Sequence, residues 1–269
     1  MVTGLSARPF LKWVGGKRQL LAEITARLPV KFGAYHEPFV GGGALFFHLR
    51  PMTASLSDRN ERLIRGYRGI RNHVQDVIQI LKRYKNEKPF YLDLRKKAID
   101  AGTDAEVAAW LIFLNKAGFN GLYRVNSRNE FNVPFGDNPR AQICDENNLR
   151  ACSEALQSAK IYCEDFAAIL QRAQRGNLVY FDPPYVPVSG TSYFTSYTSA
   201  GFGPEDQVRL RDVALALKQR GVHVILSNSS AGLVQDLYAD PFTCIPVQAS
   251  RRINSDPSGR GLITEFLIL

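Results

Sequence analysis

The chain has 269 residues, 45% of them hydrophobic, which is enough to bury a full α/β core with room for one sizeable insertion. Lysine and arginine total 34 against 25 acidic residues, so the net charge is +9 and a polyanion partner is favoured. No window approaches the roughly 20 apolar residues that span a bilayer, and the first nine residues lack the apolar stretch of a signal peptide. We therefore expect a cytoplasmic protein without a membrane span.

Cysteine and histidine do not occur in the patterns of a disulfide framework or a zinc site. The four cysteines show no paired spacing, and the four histidines form no HExxH motif and join no cysteine cluster. We therefore predict no bound metal and a reducing compartment.

The first 70 residues predict an alternation of helices and strands. The expected elements are a helix at 17–27, a strand at 35–40, a helix at 44–49, a strand at 54–56 and a helix from 61. Helical periodicity then continues from about 72 to 113 and interrupts the alternation. A turn signal at 126–130, between apolar residues at 122–123 and 131–133, predicts a hairpin.

Strand and helix signals alternate again in the second half of the chain. Strands are expected at 161–163, 178–181, 222–226, 242–247 and 262–269, with helices at 204–219 and 231–238. We predict one α/β sheet domain built from 1–59 and 147–269. A mainly helical domain, 60–146, is predicted to be inserted into it and to carry the hairpin.

The most informative motif, Asp182-Pro183-Pro184-Tyr185, follows the strand predicted at 178–181. Neither proline can donate to a sheet ladder, so the strand ends and the motif lies at its carboxyl end. Open α/β sheets bind their ligands at that edge. The carboxylate and a proline carbonyl can accept hydrogen bonds from an exocyclic amine, and the tyrosine ring can stack on the base that carries it. The alternative is a strand-ending turn with an exposed ring.

Two further motifs follow predicted strands. In Glu37-Pro38-Phe39-Val40-Gly41-Gly42-Gly43 a strand runs into a glycine turn and a helix, where a ligand can approach the backbone closely. Phe46 occupies the last position of G-x-G-x-x-G, which favours a mononucleoside over a dinucleotide ligand. Asp58 ends the next strand and can accept hydrogen bonds from ribose hydroxyls. The alternative for the glycine motif is an ordinary tight turn, and the alternative for Asp58 is a helix N-cap.

Two further short motifs, at 12–18 and 165–166, are candidate ligand contacts. The run from Lys12 to Arg18, KWVGGKR, fails as a phosphate loop, but Lys17 can bind a carboxylate and Trp13 can cover an apolar or cationic group. Asp165-Phe166 can hold the amino group and the face of an adenine. The alternative for the first motif is a packing tryptophan beside a solvated lysine. The alternative for Asp165 is a helix cap.

Five motifs together resemble those of the Dam-type (D12 class, alpha group) DNA adenine N6-methyltransferases. In chain order they are K-W-x-G-G-K, E-P-F-V-G-G-G, an acidic strand end, D-F and D-P-P-Y. Residues 115–136, NKAGFNGLYRVNSRNEFNVPFG, resemble the target-recognition hairpin of the GATC-specific members. Residues 177–197 resemble their catalytic loop. The similarity extends from about residue 9 to 269.

The resemblance implies a Rossmann-like methyltransferase sheet and S-adenosylmethionine as the methyl donor, with S-adenosylhomocysteine as product. It assigns catalysis to Asp182, Pro183, Pro184 and Tyr185. Lys17 would lie near the methionyl carboxylate, and the implied cofactor contacts are Trp13, Lys17, Phe39, Gly41, Gly43, Asp58, Asp165, Phe166 and Asp182. The implied base-recognition residues are Phe119, which replaces a frequent tyrosine wedge, Asn120, Leu122, Arg124 and Pro134.

The implied reaction is methylation of N6 of an adenine flipped out of double-stranded DNA, within GATC. It implies a bacterial or phage-type enzyme, nucleoid-associated, with no metal and no obligate protein partner. One alternative is an RNA or protein-glutamine methyltransferase, but those commonly carry Asn in place of Asp182 and lack the hairpin. The other is a catalytically silent DNA-binding module of the same fold.

Overall fold

A mostly parallel sheet organises the protein. The computed structural model describes residues 6–13, 15–186, 201–251 and 261–269. Within these residues seven strands form one sheet in the order β3-β2-β1-β4-β5-β7-β6. The strands are β1 (Tyr35–Glu37), β2 (Ala54–Asp58), β3 (Ala159–Cys163), β4 (Leu178–Phe181), β5 (His223–Ser229), β6 (Cys244–Arg251) and β7 (Gly261–Ile268).

The strand order reverses between β1 and β4. β3, β2, β1, β4 and β5 run parallel, whereas β7 pairs antiparallel with both β5 and β6. A crevice for ligands forms at the carboxyl ends of the strands on either side of such a reversal. The predicted Rossmann-like α/β sheet is thereby confirmed, and the motif that follows β4 lies at this reversal.

Helices cover both faces of the sheet. They are α1 (Leu21–Thr25), α2 (Ala44–Leu49), α3 (Glu61–Arg83), α4 (Lys88–Arg95), α5 (Asp104–Ala117), α6 (Glu146–Leu156), α7 (Pro204–Gln219) and α8 (Gly232–Leu237). Alternate β4 residues point to opposite faces: Leu178 and Tyr180 join one hydrophobic cluster, and Val179 and Phe181 join the other. No helix in the described part of the chain is long and apolar enough to cross a membrane.

Helices α3 to α6 lie between β2 and β3 in the chain. The Asn60 side chain caps α3 by accepting a hydrogen bond from the Leu63 amide, and a Thr103–Glu106 capping box begins α5. The hydrophobic cluster on this side continues from the sheet into α3 and α5. The division into domains at 60 and 146 stays a prediction.

Several predicted bounds were wrong for identifiable reasons. β1 ends at Glu37 rather than at residue 40, because Pro38 has no amide hydrogen for the ladder. The helix predicted at 17–27 is a 3-10 turn, Lys17–Gln19, followed by the short α1. Helix α6 was missed, although Leu149, Cys152 and Leu156 are buried at helical spacing along it.

The predicted hairpin has its turn but no continuous ladder. The Asn126 amide donates to the Glu130 carbonyl at 2.9 Å, which closes the predicted turn. Within residues 115–136, antiparallel pairing is limited to two isolated bridges, Gly118 with Phe135 and Val125 with Phe131. Asn120 has a positive φ of 55°, which bends one arm out of the extended conformation. Of the segment likened to a catalytic loop, residues 187–197 lie outside the described residues.

Candidate active site

The carboxyl end of β4 places Asp182 and Tyr185 beside one buried cation. Asp182 Oδ1 lies 2.9 Å from Lys17 Nζ and accepts a 3.3 Å hydrogen bond from Ser227 Oγ. Lys17 Nζ also lies 4.5 Å from the centre of the Tyr185 ring. The Lys17 side chain is only 6% exposed. A single ammonium group therefore contacts both the carboxylate and the ring of the motif, a contact that the sequence did not predict.

Residues 182–185 form a corner of the chain directly after β4. Side chains from α7, β5 and β7 hold the rest of this corner. Gln207 Nε2 donates to the Pro184 carbonyl at 3.0 Å, and Gln207 Oε1 accepts a 3.0 Å hydrogen bond from Asn228 Nδ2. The Tyr185 hydroxyl donates to Glu265 Oε2 at 2.9 Å. Pro184 and Tyr185 are thus held by partners from α7 and β7, and Asn228 of β5 holds Gln207 in turn.

Sequence reasoning missed Gln207, Ser227, Asn228 and Glu265. One signal for two of them was available, because the polar run Ser227-Asn228-Ser229 ends the otherwise apolar strand β5. Consecutive buried polar side chains at the carboxyl end of a central strand indicate a site. Gln207 and Glu265 carry no comparable local pattern.

Burial dominates the electrostatics of this corner. It raises the pKa of Asp182, an effect that Lys17 opposes and that the Glu265 carboxylate reinforces. Burial also raises the pKa of Glu37, at the end of β1, to about 8. The Tyr35 hydroxyl donates to Glu37 Oε2 at 2.8 Å. At neutral pH Glu37 is therefore mostly protonated and adds little negative charge near Asp182.

Between β1 and α2 the chain turns through glycines that lie against Trp13. Gly41 has a φ of +45°, and a Cβ atom there would approach the Trp13 indole to 2.8 Å. Gly43 has a φ of +65°, and its Cβ would lie 2.7 Å from the Tyr67 hydroxyl. Both positions therefore need glycine for their conformation and for their lack of a side chain. The predicted cofactor residues Trp13, Gly41 and Gly43 lie together.

Asp58 closes the other side of this turn. Its Oδ2 accepts a hydrogen bond from the Gly41 amide at 3.3 Å, and its Oδ1 accepts one from the Asn60 amide at 3.0 Å. Burial raises the pKa of Asp58 to about 6 in spite of these hydrogen bonds. The N-cap of the following helix is Asn60. The alternative reading of Asp58 as that cap was therefore wrong.

Asp165 and Phe166 follow β3 and already hold a flat cation. The Asp165 carboxylate forms an ion pair with Arg209, whose guanidinium carbon lies 4.5 Å from the centre of the Phe166 ring. Phe39 stacks on the same ring at 5.3 Å with an interplanar angle of 25°. Asp165 also caps the short 3-10 helix by accepting from the Ala167 amide at 3.0 Å. The pair thus accommodates a planar group with N–H donors, which is what an adenine base presents.

The predicted recognition residues lie along one irregular segment at the surface. Phe119 is 49% exposed, although it is a large apolar side chain. Asn120, Arg124 and Pro134 are exposed, and Leu122 is half-buried. Arg124 is oriented by Asn132, since its Nε donates to Asn132 Oδ1 at 2.7 Å. A partner could therefore reach these side chains without any unfolding of the segment.

Contacts with the N-terminal residues tie this segment to the glycine turn. Tyr123 stacks on Trp13 at 5.6 Å with an interplanar angle of 24°. Asn115 Nδ2 donates to the carbonyls of Lys12 and Gly121, each at 2.8 Å. Trp13 thus joins the segment that carries the predicted recognition residues to the glycine turn of the predicted cofactor site.

The groups described at this edge of the sheet are carboxylates, the Lys17 ammonium, the Arg209 guanidinium and aromatic rings. No group of three or more His, Cys, Asp or Glu side chains in the described parts of the chain could hold a metal ion. The carboxylates Asp58, Asp165 and Asp182 follow or end β2, β3 and β4, so their side chains lie along one edge of the sheet. Such an edge offers hydrogen-bond acceptors to a nucleoside and an aromatic surface to a base.

Comparisons with known proteins agree with this geometry. A sequence profile of the D12 class N6 adenine-specific DNA methyltransferases matches residues 13–253. Type II methyltransferase M1.LlaDCHI of Lactococcus lactis subsp. cremoris is 46% identical, covering 98% of this chain and 95% of that protein. Type II methyltransferase M.MjaIII of Methanocaldococcus jannaschii is 40% identical over 93% and 94% of the two chains. The DNA adenine methylase of Vibrio cholerae is 36% identical over 97% and 95%.

Proposed function

Because this chain belongs to the D12 class N6 adenine-specific DNA methyltransferases, we propose that it methylates adenine within GATC in double-stranded DNA, with S-adenosylmethionine as donor. The observation that carries the proposal is the corner after β4. There a carboxylate, Asp182, and an aromatic ring, Tyr185, share one buried cation, Lys17. These groups suit a flat base that carries an amine.

The acceptor base would be bound by the motif itself. Adenine N6 is paired inside a duplex, so the base must leave the stack before it can react. Tyr185 stacks on the flipped base, while the Asp182 carboxylate and the Pro183 carbonyl accept hydrogen bonds from N6. Two acceptors draw the amine toward tetrahedral geometry and stabilise the positive charge that develops on it. Pro184 stiffens the backbone between these groups, and its carbonyl is held by Gln207.

The donor would lie along the edge formed by β1, β2 and β3. When bound, S-adenosylmethionine supplies a methyl group that is activated by a sulfonium. Asp165 and Phe166 suit its adenine, since they already hold the guanidinium of Arg209. Asp58 accepts hydrogen bonds from ribose hydroxyls, and Lys17 binds the methionyl carboxylate. Trp13, Phe39 and the turn from Gly41 to Gly43 enclose the middle of the ligand.

DNA would be read by the exposed segment within residues 60–146, which we propose as the recognition domain inserted between catalytic parts 1–59 and 147–269. A guanidinium can bind guanine O6 and N7 in a fork, and Asn132 orients Arg124 for such a contact. Phe119, which is exposed, would wedge into the base stack, and Asn120, Leu122 and Pro134 would contact neighbouring bases. The net charge of +9 supports a phosphate backbone as partner. We propose further that the enzyme acts on chromosomal DNA in the bacterial cytoplasm, at the nucleoid.

Methyl incorporation from labelled S-adenosylmethionine tests the proposal. The substrates are a GATC duplex, a duplex that carries GTTC at the same position, and an RNA that carries GAUC. We expect label in the GATC duplex alone. Equal label in the GTTC duplex would contradict the site preference, and label in RNA would contradict the substrate class. No label in any of the three would favour a silent DNA-binding protein.

A further inference from the structure

Strand β7 carries a carboxylate at a buried position. Glu265 is 9% exposed and shares a sheet face with Leu267, which belongs to the hydrophobic core. The antiparallel register pairs it with Ser229 at the end of β5, so it lies at the same edge of the sheet as the corner after β4. Burial of a carboxylate is unfavourable unless the group has good partners.

The partner of this carboxylate belongs to the proposed base-binding corner. The Tyr185 hydroxyl donates to Glu265 Oε2 at 2.9 Å, while Lys17 Nζ lies 4.5 Å from the centre of the Tyr185 ring. Burial, together with the charges of Asp182 and Glu265, keeps the pKa of Tyr185 well above its usual range. The hydroxyl therefore remains a protonated donor at neutral pH. The ring is held at its face by a cation and at its rim by an anion.

We propose that Glu265 is a positioning residue for methyl transfer and acts through the Tyr185 hydroxyl. The inference rests on the proposed function, in which a flipped adenine stacks on this ring. A stacked base takes its position from the ring, so a ring that can rock displaces N6 relative to Asp182. A misplacement of about 1 Å can cost on the order of a hundredfold in rate.

The charge of Glu265 is costly at this position, which argues against a purely structural role. It raises the pKa of the nearby Asp182 and so opposes ionisation of the proposed catalytic carboxylate. A neutral glutamine could accept the same hydroxyl hydrogen without that penalty. A charged acceptor, however, forms a hydrogen bond roughly twice as strong as a neutral one. A glutamate at position 265 thus holds the Tyr185 ring more firmly than a glutamine would, although it makes Asp182 harder to ionise.

A double-mutant cycle between Tyr185 and Glu265 tests this role. The single-turnover rate of methyl transfer to a GATC duplex is measured for the wild type, Glu265→Ala, Tyr185→Phe and the double variant. We expect each single change to lower the rate roughly tenfold, the effect of one lost hydrogen bond. The double variant should be no slower than Tyr185→Phe alone, because the phenylalanine has no hydroxyl to hold. Glu265→Gln should restore part of the rate.

Three controls separate positioning from loss of folding. Thr264→Val changes the neighbouring residue of β7, whose hydroxyl accepts from Gln248 Nε2 at 3.2 Å, and should keep the wild-type rate. The affinities of Glu265→Ala for duplex and for S-adenosylhomocysteine should also be unchanged. If Glu265→Ala does not fold, Glu265→Gln takes its place in the cycle.

Two results would overturn the role of Glu265 in an active enzyme. One is an unchanged rate for Glu265→Ala, and the other is a set of effects that multiply in the double variant. A wild-type protein that methylates no DNA would instead overturn the proposed function, and this role with it.

Discussion

Within the donor site, the guanidinium of Arg209 occupies the place that we propose for the adenine of S-adenosylmethionine. It pairs with Asp165 and lies 4.5 Å from the centre of the Phe166 ring. An incoming adenine would use the same carboxylate and the same ring face. At the proposed site Arg209 and the donor would therefore compete, and an ion pair and a cation–π contact would have to break before the donor binds.

Replacing Arg209 should consequently strengthen donor binding. An exposed ion pair and a cation–π contact each contribute up to about 1 kcal/mol, so we expect Arg209→Ala to bind S-adenosylhomocysteine roughly three- to tenfold more tightly. Titration calorimetry measures this directly. Arg172→Ala is a matched control, since Arg172 pairs with Glu164 and lies 4.3 Å from the Tyr162 ring centre. Weaker binding by Arg209→Ala would show that the guanidinium contacts the ligand.

Single contacts of this kind could not be predicted from the sequence. The motif from Asp182 to Tyr185 could be predicted to follow a strand, because two prolines after an apolar run indicate where a strand ends. The bond from Tyr185 to Glu265 joins residues 80 positions apart, and the pair of Arg209 with Asp165 spans 44. Such contacts depend on the strand order, which is a property of the whole sheet.

Among the elements, α3 anchors the turn of the predicted recognition segment, while α4 and α5 hold other parts of it. Arg62 donates through Nε and Nη2 to Asp100, each at 2.6 Å. Its Nη1 donates to the Asn129 carbonyl at 2.6 Å, in the turn of the segment. Arg65 lies three residues later on the same helix and pairs with Asp104 at 2.7 Å. The two arginines form similar ion pairs, but Arg62 donates to the turn whereas Arg65 donates to Asp104 and to the carbonyls of Asp100 and Gly102.

Loss of the Arg62 anchor should therefore relax sequence discrimination. We expect Arg62→Gln to lower the ratio of kcat/KM on GATC to that on GTTC by about tenfold, the effect of one lost specific contact. Arg65→Gln should leave the ratio unchanged, because it removes an ion pair of the same kind elsewhere on the helix. The idea fails if Arg62→Gln slows both duplexes equally, or if the two variants lose the same discrimination.

The elements themselves were predicted to different extents. β4, α2 and α7 have the predicted bounds, since each combines a clear apolar pattern with a proline or glycine at its end. The hairpin was predicted with its turn, which Asn126 and its neighbours determine locally. Its arms pair only at isolated bridges, because packing on Trp13 and on α3 shapes them more than strand pairing does.

For the whole molecule, the buried carboxylate of Glu37 links stability to pH. Its pKa is raised from 4.5 to about 8, so between these values the folded protein holds a proton that the unfolded chain releases. Stability from this group is complete below about pH 4.5 and is lost as the pH rises toward 8. The pKa of Asp58 is raised to about 6, so this group also makes the free energy of unfolding fall as the pH rises, in a lower pH range.

Denaturant unfolding of wild type and Glu37→Gln at pH 5, 6.5 and 8 measures this link. We expect the free energy of unfolding of the wild type to fall by roughly 1 kcal/mol per pH unit more than that of the variant. Glutamine keeps an acceptor for the Tyr35 hydroxyl but cannot ionise. Equal slopes for the two proteins would mean that Glu37 is ionised in the folded state.

If the corner after β4 holds the adenine that receives the methyl group, loss of its carboxylate should stop methyl transfer. The single-turnover rate of Asp182→Ala on a GATC duplex measures this, with the modified base identified after digestion to nucleosides. We expect N6-methyladenine as the only product of the wild type and a rate at least about a hundredfold lower for the variant. Thermal unfolding should confirm that the variant is folded. Near-normal turnover by Asp182→Ala, or methylation of a base other than adenine, would show that this corner does not hold the reacting adenine.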